Sequence, residues 1–131
     1  MSQRGGGPGA QFDWQGYLEQ TTRSERERLE ERLEAKKAQI RRRTKTYEAA
    51  VTDLQTALQD VEHQLSRAIP TRDRRQELKR RRNRLQSDLR ETRRRFADDI
   101  RQLEDTVLEL EAELEELCEA EELLENAVTQ S

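Results

Sequence analysis

The chain of 131 residues has one cysteine and one histidine, so it is poor in the side chains that build disulfide-linked, metal-binding or catalytic sites. Cys118 has no partner for an internal disulfide, and beside Leu117 we expect it to be a small packing residue. His63 has no second histidine or nearby cysteine with which to bind a metal. A phosphate-binding loop lies between a strand and a helix, but no strand is predicted before the glycine-rich stretch at residues 5–7. We therefore expect no enzyme activity, no cofactor and no metal.

Long apolar runs and aromatic residues are also scarce, since 31% of the residues are hydrophobic, 4% are aromatic and 40% are charged. No run approaches the ~18 apolar residues of a membrane span, and residues 1–8 lack a signal peptide's hydrophobic stretch. We expect no membrane span and an intracellular location, cytoplasmic or nuclear. This composition cannot fill an all-round core, but it can bury one narrow apolar stripe per helix, as in coiled coils.

Proline is rare as well, and Pro70 is the only one beyond residue 11. Around it the chain otherwise reads as continuous helix from Arg23 to Val128. A new helix start follows directly, capped either by Thr71 or by Asp73 with Gln76. The predicted division is therefore a disordered tail (1–11), an aromatic segment (12–22), a first helix (23–69), a turn (70–73), a second helix (74–128) and a tail (129–131).

Each predicted helix carries an apolar stripe with steps of three and four residues, typical of a left-handed coiled coil. In the first helix the stripe is Leu29, Leu33, Ile40, Thr44, Tyr47, Val51, Leu54, Leu58, Val61, Leu65 and Ala68. In the second it is Leu78, Leu85, Leu89, Thr92, Phe96, Ile100, Leu103, Val107, Leu110, Leu114, Leu117, Leu124 and Val128. Arg82 and Glu121 occupy two further stripe positions, and two four-residue steps around Phe96 form a stutter.

The charges indicate that the chain folds back at Ile69–Asp73. Formal net charges are +5 for residues 23–45, −3 for 46–69, +8 for 72–95 and −12 for 98–125. A hairpin places oppositely charged segments against each other, whereas a parallel dimer of unbroken helices places the −12 segment against its own copy. We therefore predict an all-α, long antiparallel coiled-coil hairpin. Facing residue numbers should sum to about 140, so that Thr44 faces Phe96.

In this register both ends of the hairpin have apolar residues that face polar ones. We expect these residues to form a self-association surface, most simply in a dimeric four-helix bundle, or to contact other helical proteins in a hetero-oligomer. The predicted surface consists of Leu58, Val61, Leu65, Leu110, Leu114, Leu117 and Leu124.

The aromatic segment contains Phe12, Trp14 and Tyr17, which are three of the five aromatic residues of the chain, together with Leu18. Clustered aromatic side chains are typical anchors of protein interfaces, so one hypothesis is partner docking. The other is a cap that folds over the end of the coiled coil. The sequence leaves both open.

A basic tip follows the predicted turn; its members are Arg72, Arg74, Arg75, Lys79, Arg80, Arg81, Arg82 and Arg84. Such residues can bind nucleic-acid phosphates. However, consecutive arginines point all round a helix, and the acidic remainder of the same helix repels phosphate. An acidic protein surface is therefore the preferred partner of the tip, and nucleic acid is the second choice.

Together these patterns predict a non-enzymatic coiled-coil scaffold or adaptor that self-associates or joins a larger assembly. One alternative is a nucleic-acid-associated protein that binds phosphates through the basic tip. Another is a parallel rod, kinked at Pro70, in a filament.

Overall fold

The computed structural model describes residues 12–67 and 71–130, apart from the side chain of Gln130. Within these residues the chain forms two helices and no strand: α1, Trp14–Ser66, with 53 residues, and α2, Arg72–Gln130, with 59 residues. The predicted all-α class is confirmed, and the two helices are consistent with a helical hairpin. Ile69 and Pro70, where the turn was predicted, lie outside the described residues.

Helix α1 begins at Trp14, whereas the predicted first helix begins at Arg23. Asp13 is the reason, because its Oδ1 accepts a hydrogen bond of 2.9 Å from the backbone N–H of Gly16. Its carbonyl also accepts a backbone hydrogen bond of 3.0 Å from Tyr17. A side-chain cap of this kind satisfies a backbone donor that the first helical turn leaves unpaired. Most of the aromatic segment is therefore the first part of α1.

Helix α2 begins at Arg72, directly after Thr71. The Thr71 hydroxyl accepts a hydrogen bond of 3.3 Å from the N–H of Arg74, and the Thr71 carbonyl accepts one of 2.9 Å from the N–H of Arg75. Of the two caps that the sequence allows, the structure thus uses Thr71. The helix start lies two residues before the predicted one.

The chain divides into two compact units. The terminal unit consists of Met1–Ala35 and Leu108–Ser131, and the central unit consists of Lys36–Val107. Each unit contains a part of α1 and a part of α2. Each also has its own buried residues.

In the central unit Val61 is 0% exposed and Leu78 is 2% exposed, and Leu103 is also buried. The ring of Tyr47 stacks on the ring of Phe96 with a centroid distance of 3.9 Å and an interplanar angle of 15°. Since position 47 of α1 contacts position 96 of α2, and Arg43 pairs with Asp99, the two helix segments run antiparallel.

The predicted register was wrong by about three residues, because Phe96 stacks on Tyr47 and was expected to face Thr44. Thr44 and Tyr47 both belong to the apolar stripe, so the heptad pattern allows either of them opposite Phe96. Ring stacking favours Tyr47, since two flat rings in contact remove more apolar area from water than a ring and a threonine do. The Thr44 hydroxyl instead donates to the carbonyl of Ile40, at 2.8 Å.

In the terminal unit Leu29 and Leu110 are buried. Arg26 of α1 forms an ion pair with Glu121 of α2, with 2.6 Å between Nη1 and Oε2. A cleft beside this pair brings Glu19 and Glu125 to the same site. Low numbers in α1 therefore meet high numbers in α2, and the two segments are antiparallel here also.

The predicted stripes are the inner faces of the helices. Every stripe residue that the structure describes is buried or half-buried, except Val128, which is 40% exposed. The expectation that a single chain leaves all of the self-association residues in contact with water was wrong for Val61 and Leu110. These two are already buried by their own chain.

Intrachain packing in the central unit also bears on the kinked-rod alternative. One continuous helix with a kink could not place Tyr47 on Phe96 of the same chain, because the kink would leave the two rings on separate arms. That arrangement is not the one in this structure. Within the described residues, neither helix has a stretch long and apolar enough to cross a membrane.

Candidate interaction surfaces

The aromatic segment forms an exposed cluster at the start of α1. Trp14 is 67% exposed, and Phe12, Tyr17 and Leu18 are exposed as well. The three rings contact one another, with centroid distances of 4.6 Å from Phe12 to Trp14, 5.5 Å from Phe12 to Tyr17 and 6.4 Å from Trp14 to Tyr17. Edge-to-face arrangements at such distances are favourable. We call these four residues the aromatic cluster.

Gly16 has a local role in this cluster. A Cβ atom at Gly16 would clash with Oδ2 of Asp13, so any other residue would displace the capping carboxylate. The cap in turn places Phe12 before the helix and Trp14 and Tyr17 in its first turn, where the rings meet. The missed signal was Asp13 ahead of a helical segment, which is a common N-cap pattern.

A polar layer interrupts the apolar stripe of the terminal unit. Glu121 occupies a stripe position, and its Oε2 accepts a hydrogen bond of 2.6 Å from Arg26. Its Oε1 is buried and accepts no hydrogen bond from the residues that the structure describes. A carboxylate in an apolar stripe is tolerated where a cation pairs with it, and such a pair can select one register of two helices.

A cleft of about 170 Å³ adjoins the polar layer. Its lining residues are Glu19, Arg23, Arg26, Glu121, Leu124 and Glu125. Side chains of both charges therefore line the cleft. Arg26 also forms an ion pair with Glu30, with 3.7 Å between Nε and Oε1. Among the described residues, no group of three histidine, cysteine, aspartate or glutamate side chains is arranged to hold a metal ion.

The other predicted self-association residues are half-buried. They are Leu58 and Leu65 in the central unit and Leu114, Leu117 and Leu124 in the terminal unit. Two further leucines of α2, Leu108 and Leu123, lie outside the stripe and are 64% and 69% exposed. The stripe leucines thus keep part of their apolar surface in contact with water.

The basic tip is a solvent-exposed surface of the central unit. All eight of its residues are exposed except Arg82, which is half-buried at its stripe position. Arg74 pairs with Glu77 at 3.0 Å and contacts the side-chain oxygen of Gln64 at 3.3 Å. Within residues 12–67 and 71–130, no other residue of the tip forms an ion pair. Among the described residues, none of the tip arginines pairs with the acidic residues of α1, which include Glu48, Asp53, Asp60 and Glu62.

The last part of α2 is acidic and exposed. From Leu108 onward the chain contains nine glutamates and no lysine or arginine. Glu121 is the only one of these glutamates that forms an ion pair among the described residues. Cys118 is exposed on the same helix, so the single chain does not bury it as the small packing residue that the sequence predicts.

Comparison of the chain with curated proteins gives no match, and comparison with solved structures gives none either. The model of one protein family, described as a family of unknown function (DUF8104), matches residues 6–127. The match includes both helices nearly in full, with the aromatic cluster, the polar layer and the basic tip. The chain therefore belongs to this family of unknown function, DUF8104.

Proposed function

We propose that the chain is a non-enzymatic helical scaffold or adaptor, which self-associates or joins a larger protein assembly. The single observation that supports this proposal best is the aromatic cluster. Its tryptophan, two further rings and a leucine lie together in contact with water. Apolar groups so exposed carry a cost in free energy that a partner removes on binding, and tryptophan and tyrosine contribute strongly to protein interfaces.

The half-buried stripe leucines extend the proposal to self-association. A second pair of helices packed on Leu58, Leu65, Leu114, Leu117 and Leu124 would remove their remaining apolar area from water. Two coiled-coil hairpins joined in this way form a dimeric four-helix bundle. In that assembly the aromatic cluster either docks on the second copy or remains available to another helical protein.

The mass of the purified chain tests self-association. Multi-angle light scattering over a wide concentration range should give at least 31 kDa, which is twice the 15.5 kDa of the chain. A mass of 15.5 kDa at every concentration would contradict self-association and leave only a different protein as the partner.

Trp14 is the only tryptophan, so its fluorescence reports on the aromatic cluster alone. If the cluster docks on the second copy, the emission should shift to the blue and iodide quenching should weaken as the dimer forms. A matched pair of variants completes the test. Trp14→Ala with Tyr17→Ala should weaken association, whereas Leu108→Ala with Leu123→Ala should not, although both pairs remove exposed apolar side chains. Equal effects would contradict docking of the cluster on the second copy.

A second candidate function, nucleic-acid binding through the basic tip, is supported by the exposed arginines that lack ion pairs among the described residues. Binding of a labelled duplex, followed by fluorescence anisotropy, should then weaken steeply with salt. The slope of log K against log salt should be about −0.9 for each phosphate contacted. An affinity that does not change with salt would contradict phosphate binding.

A further inference from the structure

The two compact units carry opposite net charges. The terminal unit contains 5 lysine and arginine residues and 16 aspartate and glutamate residues, so its formal net charge is −11. The central unit contains 20 basic and 12 acidic residues, and its formal net charge is +8. These opposite charges almost cancel in the net charge of −3 for the whole chain. Two terminal units therefore repel each other, and so do two central units, whereas a terminal unit of one copy attracts a central unit of another.

The positive charge of the central unit is concentrated in the basic tip. Seven of the eight residues of the tip have no ion pair among the described residues, and seven are exposed. Within the described parts of the chain, the guanidinium and ammonium groups of these seven residues have donors that no protein acceptor satisfies. The tip is therefore ready to bind an anionic surface.

The negative charge of the terminal unit is concentrated on the acidic surface, which we define as Glu111, Glu113, Glu115, Glu116, Glu119 and Glu122. All six carboxylates are exposed, and none forms an ion pair among the described residues. No lysine or arginine follows Arg101 in the chain, so this part of α2 has no cation of its own within the (i, i+4) spacing. Like charges so closely spaced destabilise the helix until cations approach them.

We propose that the acidic surface binds the basic tip of a second copy of this chain. This inference rests on the proposed function, because it names one partner and one contact for a self-associating scaffold. In a two-fold dimer the contact occurs twice, once from each copy, and both charge excesses are offset. A dimer in which like units face each other would instead place −11 against −11 and +8 against +8, and both contacts would be repulsive.

A second copy fits the tip better than nucleic acid does. The exposed arginines point in different directions around α2. At 100° per residue, about 140° separates Arg75 from Arg80, 100° separates Arg80 from Arg81, and 120° separates Arg81 from Arg75. A nucleic-acid duplex would present its phosphates to only one side of α2. In a helical bundle, by contrast, several helices can surround α2. The acidic terminal unit also repels phosphate, but it is the surface that the proposed contact requires.

Charge reversal tests the contact. The tip variant carries Arg80→Glu, Arg81→Glu and Arg84→Glu, and the acidic variant carries Glu115→Arg, Glu119→Arg and Glu122→Arg. All six positions are exposed, so each variant should remain helical, and circular dichroism checks this. Each variant alone should raise the dimer Kd roughly tenfold to hundredfold, because three attractive pairings become repulsive. The charge-preserving controls, Arg→Lys and Glu→Asp at the same positions, should stay near the wild-type Kd.

The chain that combines both sets of reversals gives the sharpest result. The two sets of three reversed residues carry exchanged charges, so in a dimer of this chain each reversed residue again faces the opposite sign. Its Kd should therefore be closer to that of the wild type than the Kd of either single variant. It should form mixed dimers with the wild-type chain less readily than dimers with itself, because each reversed set of three residues would then face wild-type residues of the same sign. If like units face each other, mixed dimers should be preferred, and this outcome would overturn the inference.

Cys118 provides a direct readout of the neighbour, since it is exposed and lies within the acidic surface. A photo-crosslinker attached to its thiol, in a mixture of ¹⁵N-labelled and unlabelled chains, should link Cys118 of one copy to the central unit of the other. Links confined to the terminal unit of the other copy would overturn the proposal.

The remaining outcomes separate the two proposals. A wild-type chain that stays monomeric contradicts self-association itself. A dimer whose Kd is unchanged in both reversal variants keeps the scaffold function and refutes the contact. Loss of duplex binding in the tip variant, without any change in the dimer, would assign the tip to nucleic acid and refute the contact.

Discussion

The terminal and the central unit are made from the same two helices, but different interactions fix the register in each. In the central unit an aromatic pair, Tyr47 on Phe96, lies between the helices. In the terminal unit an ion pair, Arg26 with Glu121, takes that place. The heptad stripe indicates only which face of each helix is inward, so specific pairs select which residues meet. In the central unit the ion pair of Arg43 with Asp99 accompanies the aromatic pair. The two kinds of pair should differ in strength and in their response to substitution.

Removal of a buried leucine from either unit should have the largest effect. Leu78→Ala in the central unit and Leu110→Ala in the terminal unit should each lower the free energy of unfolding by about 2–5 kcal/mol, because each leaves a cavity. Leu108→Ala, at an exposed position, should change it by less than about 0.5 kcal/mol. Urea unfolding followed by circular dichroism measures all three. If Leu110→Ala costs no more than Leu108→Ala, the terminal unit has no core of its own.

The aromatic pair of the central unit should come next. Phe96→Ala should cost about 2 kcal/mol, which is less than the ~3–5 kcal/mol of a fully buried phenylalanine because this ring is half-buried. A double-mutant cycle with Tyr47→Leu and Phe96→Leu should give a coupling energy of about 0.5–1.5 kcal/mol. Additive single effects would show that the two rings do not act as a pair.

The ion pair of the terminal unit should have a smaller effect and a different signature. Arg26→Ala should cost about 1–2 kcal/mol, since it leaves the half-buried carboxylate of Glu121 without its donor. Glu121→Leu should be neutral or stabilising, because it restores the apolar stripe. Arg28→Ala is the matched control; its pair with Glu25 is exposed, so we expect ~0.5 kcal/mol or less. A large loss of stability in Glu121→Leu would contradict this account.

The two N-caps should give the smallest effects, about 0.5–1 kcal/mol each. Asp13→Ala removes the cap of the terminal unit, and Thr71→Ala removes that of the central unit. Hydrogen exchange should show faster opening of the first turn of α1 in one variant and of α2 in the other. Asp13→Asn and Thr71→Ser keep a capping oxygen and should protect these turns. Equal exchange in wild type and Asp13→Ala would mean that Asp13 does not hold the aromatic cluster in place.

Much of the fold was predictable because it depends on local pattern. Three- and four-residue spacing identified the inner face of both helices, and Thr71 was one of two caps considered. The predicted first helix began at Arg23, and the observed start at Trp14 depends on the Asp13 cap, which lies among aromatic residues that are equally typical of a docking segment. The candidate surfaces were predicted as residue sets, and their exposure had to be read from the structure, since an aromatic side chain near a helix end can be a core residue or an anchor.

The sequence by itself determined the helices, their inward faces and the separation of charge along the chain. These follow from side-chain type and spacing, which act over a few residues. Only the tertiary structure decided that Tyr47 meets Phe96, that Glu121 meets Arg26, and that Val61 and Leu110 are buried within one chain. The physical reason is that a heptad repeat is nearly unchanged by a shift of three or four residues. The choice between such registers depends on contacts between residues distant in the chain, and no local pattern contains those contacts.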